Sequence, residues 1–285
     1  MTSQGAFLIR ILLGAAAVLV VPWSLPLLGP KPAGRFSRYA TDLSGPGSYG
    51  FAAGMLIGSG PVALAIALPW TVAAIGQAFL HLGALRARRS LDRFAATLAT
   101  FWLAAASVMA CFALTGPGAP MTAEHLRWPT PAHFMYAGFA LTTVVFTARR
   151  ARSGLGTLLA MLGVFFGMPL LAIEIGFFES TQWTGALFIG SAALVLAVEQ
   201  VIVASSTISR RAKTSLRASS AALAAAMVLA IGYGLSTHFG FGWLSLETMT
   251  VTHGVLNSLG FVLLAVMGWR LRAPNPGNHQ SVDPS

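Results

Sequence analysis

Long apolar runs separated by short polar punctuation make up most of this chain, and run length decides what they are. An α-helix crossing bilayer hydrocarbon needs about 20 apolar residues. Eight stretches reach or approach that length: about 6–28, 61–85, 94–114, 131–148, 155–178, 185–206, 219–237 and 248–269. The pattern predicts an all-α, polytopic transmembrane helix bundle of about eight spans. Pro61 suits a helix start, and Gly167 and Pro169 predict a kink in the fifth span. The stretch 29–48, with three prolines and four glycines, reads as an outer loop. Residues 49–57 read as a short interfacial or re-entrant piece, with one long kinked helix through to 85 as the alternative. Residues 1–272 then form one transmembrane domain, its first span retained rather than removed as a signal peptide. The polar tail 273–285, with Pro274, Pro276 and Gly277, reads as disordered.

Composition strengthens this picture, because only 9% of residues are charged against about 25% in soluble domains. The net charge of +10 could point to an anionic partner, so the placement of the charges decides. Arg86, Arg88, Arg89 and Arg93 form one group, Arg149, Arg150 and Arg152 a second, and Arg210, Arg211, Lys213 and Arg217 a third. Arg270 and Arg272 end the last span. The groups fall in alternate loops, the positive-inside pattern of a bacterial cytoplasmic membrane protein. The basic balance therefore reports orientation and affinity for the lipid bilayer, with no nucleic-acid partner, and both termini are expected to be cytoplasmic. Lys31, Arg35 and Arg38 are then exceptions on the outer side. The lone Cys111 excludes a disulfide framework and a thiolate metal cluster.

Against this apolar background the few intramembrane polar residues stand out. In the last span His253 and Asn257 lie at i, i+4 on one helical face. In the fourth, His133 and Tyr136 are again one turn apart. Counting about 1.5 Å of rise per residue, His133, His253, Asn257, Glu174 and His238 share a slab near the outer face. Gln77, His81 and Glu199 define a second slab nearer the cytoplasm, with a Glu199 to His81 pair as its structural explanation. Ionisable side chains in hydrocarbon are costly and find partners, so Glu174 is expected to pair with a histidine or to be protonated. That would supply the shielded proton donor and acceptor of acid–base chemistry. The plain alternative for the histidines is hydrogen bonding between helices. Asn257 and Tyr136 read as groups that orient a substrate.

The segments His133-Phe-Met-Tyr-Ala-Gly-Phe139 and His253-Gly-Val-Leu-Asn-Ser-Leu-Gly-Phe261 resemble the paired signatures of the YndJ-like family of bacterial membrane proteins. The resemblance covers about the second to the eighth span and implies an all-helical membrane bundle without assigning an activity. The family's first signature has a second histidine two residues after the first, where this chain has Met135. That departure counts against a metal centre needing both.

Four functions remain in competition. The leading expectation is a membrane-embedded biosynthetic enzyme, an isomerase or cyclase acting by acid–base chemistry on a lipophilic isoprenoid- or polyketide-like small molecule. Its catalytic residues would be Glu174, His133 and His253, with no cofactor. The second is metal or haem ligation by His133, His253 and His238; the third is a small-molecule or proton transporter joining the two slabs; the fourth is a structural role.

Overall fold

The computed structural model describes residues 3–29, 35–116, 124–177, 182–207 and 209–272, and these contain helices and no strand. They form nine rods: α1 (Gln4–Leu28), α2 (Arg35–Ile57), α3 (Pro61–Ala87), α4 (Leu91–Leu114), α5 (129–151), α6 (Leu155–Phe177), α7 (Gln182–Ser205), α8 (Arg210–Phe239) and α9 (Glu247–Arg272). Seven of them are long and apolar enough to cross a membrane, and α2 and α5 are the more polar exceptions. The chain is a multi-pass membrane protein. Helix starts follow local chemistry: Pro61 opens α3, and the hydroxyls of Ser90, Ser209 and Ser245 accept first-turn N–H groups of α4, α8 and α9. At the other end of α8, Gly240 sits at φ +75°, a left-handed cap that suits glycine.

Successive rods run antiparallel, and cross-links at their ends fix the two faces of the bundle. At one face Arg10 Nε donates to Met55 O at 2.6 Å, Gly60 N to Leu114 O at 2.8 Å and Arg127 Nε to Ala113 O at 2.8 Å. At the other, the arginine face, Arg93 Nη1 reaches Ala84 O, Arg150 Nη1 donates to Leu27 O at 3.1 Å, and Arg152 pairs with Glu199. Two antiparallel triplets, α2–α3–α4 and α6–α7–α8, flank a central group of α1, α5 and α9. A rod followed by a triplet therefore occurs twice in the same direction, and α9 closes the bundle.

The structure corrects three expectations. Residues 35–48 do not form a loop; with 49–57 they make the single helix α2. Its glycines serve close packing: a Cβ on Gly50 would lie 2.9 Å from Ile66 O, and one on Gly54 2.7 Å from Ala63 O. Small residues that let two backbones approach are a membrane-helix device, and a proline such as Pro46 is tolerated there. Second, α2 begins at the arginine face, because Leu27 lies beside Arg150. Arg35 and Arg38 thus fall with the other basic groups and cease to be exceptions. Third, an odd number of rods among the described residues puts residues 4–10 and 270–272 at opposite faces of the bundle, which gives no support to both ends being cytoplasmic. The tail 273–285 lies outside the described residues.

The core carries many alanines, among them Ala63, Ala67, Ala96, Ala99, Ala106 and Ala110 along α3 and α4. Polar contacts are buried between these close helices: Trp70 Nε1 donates to Ser107 Oγ at 3.1 Å. The large exposed apolar side chains, such as Val72, Phe79, Phe101 and Phe166, suit a lipid surround.

Candidate functional site

Each central rod contains π-helical turns: Ala16–Val20 in α1, Phe134–Ala140 in α5 and Leu256–Leu263 in α9. The three segments touch one another. A π turn takes one extra residue and re-aims the side chains around it, and such turns recur at functional sites. His133 immediately precedes the π turns of α5, and Asn257 lies within those of α9.

Around these rods lies a cavity of about 450 Å³. His133, Tyr136, His253, Asn257 and His238 all line it. Four of the five residues expected in the outer slab are therefore brought together, with Tyr136 beside them. Leu141, Leu223 and Phe261 form its apolar floor, and α7 contributes Trp183 and Ile189.

The polar groups of the cavity differ in how far they are already satisfied. His253 Nδ1 lies 2.9 Å from Ala226 O, and its Nε2 lies 2.7 Å from Asn257 Nδ2. A carbonyl only accepts, so Nδ1 carries the proton and donates, while Nε2 accepts from the Asn257 amide. Both ring nitrogens are occupied and the ring is neutral. The Tyr136 hydroxyl donates to Leu12 O at 2.6 Å, tying α5 to α1. His133 Nε2, in contrast, is buried with no hydrogen-bond partner. An unpaired buried polar atom costs about 1–3 kcal/mol, so leaving one on a residue that lines a cavity is noteworthy.

Glu174 does not join this group. Its two carboxylate oxygens accept the Thr184 hydroxyl and the Gly185 N–H, the latter at 2.8 Å, at the start of α7. A Cβ on residue 185 would lie 2.4 Å from that carboxylate, so glycine allows the approach. Glu174 is not among the cavity-lining residues, although Leu171, one turn earlier, is. The geometry makes it a fastener of the α6–α7 hairpin rather than the partner of a histidine.

The second slab does not assemble. Glu199 pairs with Arg152, and its neighbour Gln200 accepts from Trp269 Nε1 at 3.1 Å. Gln77 and His81 sit on α3, which packs on α2 and α4 and not on α7. The Glu199 to His81 pair is therefore absent among the described residues. Ligation by His133, His253 and His238 also fits poorly. His253 has no nitrogen to give, exposed His238 is stacked on Trp183 with ring centroids 4.8 Å apart, and no group of three His, Cys, Asp or Glu suited to a metal occurs among the described residues.

Sequence reasoning missed the cluster beside the cavity rim. Buried Arg127 donates to Ala113 O and Ser59 Oγ, and Arg10 donates to Met55 O and Leu56 O. These guanidinium groups cap the carbonyl ends of α4 and α2, where positive charge is favourable. Both stack on the Trp128 ring, at 5.6 Å from Arg10 and 5.3 Å from Arg127. Only the pairing of Arg127 with Trp128 in sequence could have hinted at it.

A family model described as YndJ-like protein matches residues 11–261, nearly the whole chain and including the first span. No curated protein and no solved structure matches.

Proposed function

The chain belongs to the YndJ-like family, and because that name states no activity we propose a function from the cavity: acid–base conversion of a lipophilic small molecule inside the membrane, such as an isomerisation or cyclisation. The single observation that carries it is His133, which lines the cavity and whose buried Nε2 has no hydrogen-bond partner. A buried imidazole with one nitrogen open can take a proton from a bound substrate or return one to it. Surrounding apolar walls exclude water and strengthen that exchange.

The other polar groups take supporting parts. His253 and Asn257 hold each other, so Asn257 is presented at a fixed angle and can orient a substrate oxygen through its remaining amide hydrogen or its carbonyl. Tyr136 fixes the distance between α1 and α5. Glu174 leaves the catalytic set. With the basic groups facing the cytoplasm of a bacterial cell, the cavity mouth at His238 opens toward the outer leaflet.

Comparative mass spectrometry of lipid extracts tests the proposal, using cells that express the wild type, His133→Ala or an empty vector. The expected result is a lipophilic species converted to an isomer of equal mass by the wild type only. Equal conversion by a folded His133→Ala protein would remove His133 from the chemistry and sink the proposal.

A further inference from the structure

We infer that the ligand of this cavity is an uncharged lipophile with a single hydroxyl or carbonyl head, seated with that head at His133 and a tail of about 15 carbons directed toward the arginine face. The inference rests on the cavity being a small-molecule site and adds the chemical class of its occupant.

Charge is the first ground. Among the described residues no Asp, Glu, Lys or Arg lines the cavity. The nearby cations Arg10 and Arg127 are turned to helix-end carbonyls, and Glu174 is taken up by Thr184 and Gly185. His253 is held neutral by its two hydrogen bonds. A phosphate, carboxylate or ammonium head would therefore lose its hydration with no counter-charge to replace it. A hydroxyl or carbonyl has only to match an imidazole nitrogen, and His133, a lining residue whose Nε2 has no partner, carries one.

Depth is the second ground. Tyr233 and His238 on α8 and His133 on α5 stand toward the mouth, and the deeper polar residues His253 and Asn257, at the level of Ala226, are bound to each other. The rest of the deeper wall is apolar, Met227 and Leu223 on α8 with Leu141 and Phe261 opposite. The ten helical steps from Tyr233 to Leu223 span about 15 Å. An amphiphile with its head up and its tail down matches that gradient.

Volume is the third. At about 30 Å³ per non-hydrogen atom, the density of liquid water, 450 Å³ admits roughly 15 such atoms.

The test uses the full-length protein in detergent and five probes that share one farnesyl tail: farnesene, farnesol, farnesylamine, farnesoic acid and farnesyl phosphate. Each is supplied at equal mole fraction in the micelle near pH 7, and binding is read by native mass spectrometry and by the shift in melting temperature. Farnesol is expected to bind about tenfold more tightly than farnesene, the worth of one buried hydrogen bond. The three ionised probes are expected to bind more weakly than either. In His133→Phe the preference for farnesol over farnesene should vanish, and in His133→Gln, which keeps a hydrogen-bonding amide, it should persist. Binding of any ionised probe as tight as farnesol overturns the assigned class, as does equal binding of farnesol and farnesene, while both leave the cavity standing as a binding site. Failure of all five to bind overturns the cavity reading together with this inference.

Discussion

In both the 133–140 and the 253–263 stretch a histidine leads into π-helical turns that border the same cavity, yet the two rings end in opposite states. His253 Nδ1 donates a hydrogen bond to Ala226 O, and its Nε2 accepts one from the Asn257 amide. His133 keeps Nε2 unpaired. Residue type and cavity are common to both, so the difference comes from neighbours: α8 offers a carbonyl to the His253 ring, and no neighbour offers a partner to His133 Nε2. A histidine with both nitrogens committed is part of the framework. One with a nitrogen open is available to whatever enters.

The sharpest way to break this comparison is His253→Leu. It removes two hydrogen bonds and strands the Asn257 amide, so it should lower the free energy of unfolding by about 2 kcal/mol, measured by reversible denaturation in mixed micelles. An unchanged midpoint would erase the distinction between the two rings. Asn257→Leu should cost about 1.5 kcal/mol, since it leaves His253 Nε2 unpaired. The His253→Leu/Asn257→Leu double variant should then cost less than the two single losses together, because the residues act as a unit. His133→Leu should have the opposite sign. Replacing an unpaired buried nitrogen with hydrocarbon is expected to raise stability by about 1 kcal/mol while abolishing the conversion proposed above; a clear loss of stability would mean that Nε2 has a partner after all. The smallest effect belongs to Tyr136→Phe, a loss of about 0.6 kcal/mol, the average of a single hydrogen bond between membrane helices.

Seven of the eight expected apolar spans could be read from the chain because bilayer thickness dictates their length. The helix α2 could not: its glycines and Pro46 spell a loop in water, and their fitness for close contact appears only once α3 lies against Gly50 and Gly54. Depth counting gathered His133, His253, Asn257 and His238 correctly, since rise per residue is fixed once a span is known. It misjudged Glu174 and Glu199, because depth says nothing about which helix stands next door. The partners of Glu174 come from the hairpin turn into α7, and that of Glu199 from Arg152 at the end of α5. The π-helical turns left no sign in the spacing of apolar residues. Whether His133 or His253 stays unpaired is likewise decided by backbone carbonyls, which every sequence carries alike.

The bond from the Tyr136 hydroxyl to Leu12 O joins residues 124 positions apart, and that from Arg150 to Leu27 O residues 123 apart. At about 5–20 residues per second of synthesis, the first rod waits roughly 6–25 s in the translocation machinery or in lipid before these two fastenings exist. Biogenesis must therefore shelter that rod, with Arg10 still uncapped until residues 55 and 56 arrive. The cavity wall formed by Ile9 and Leu12 is made first and locked late, so a nascent chain stopped before residue 136 would leave that wall unfastened.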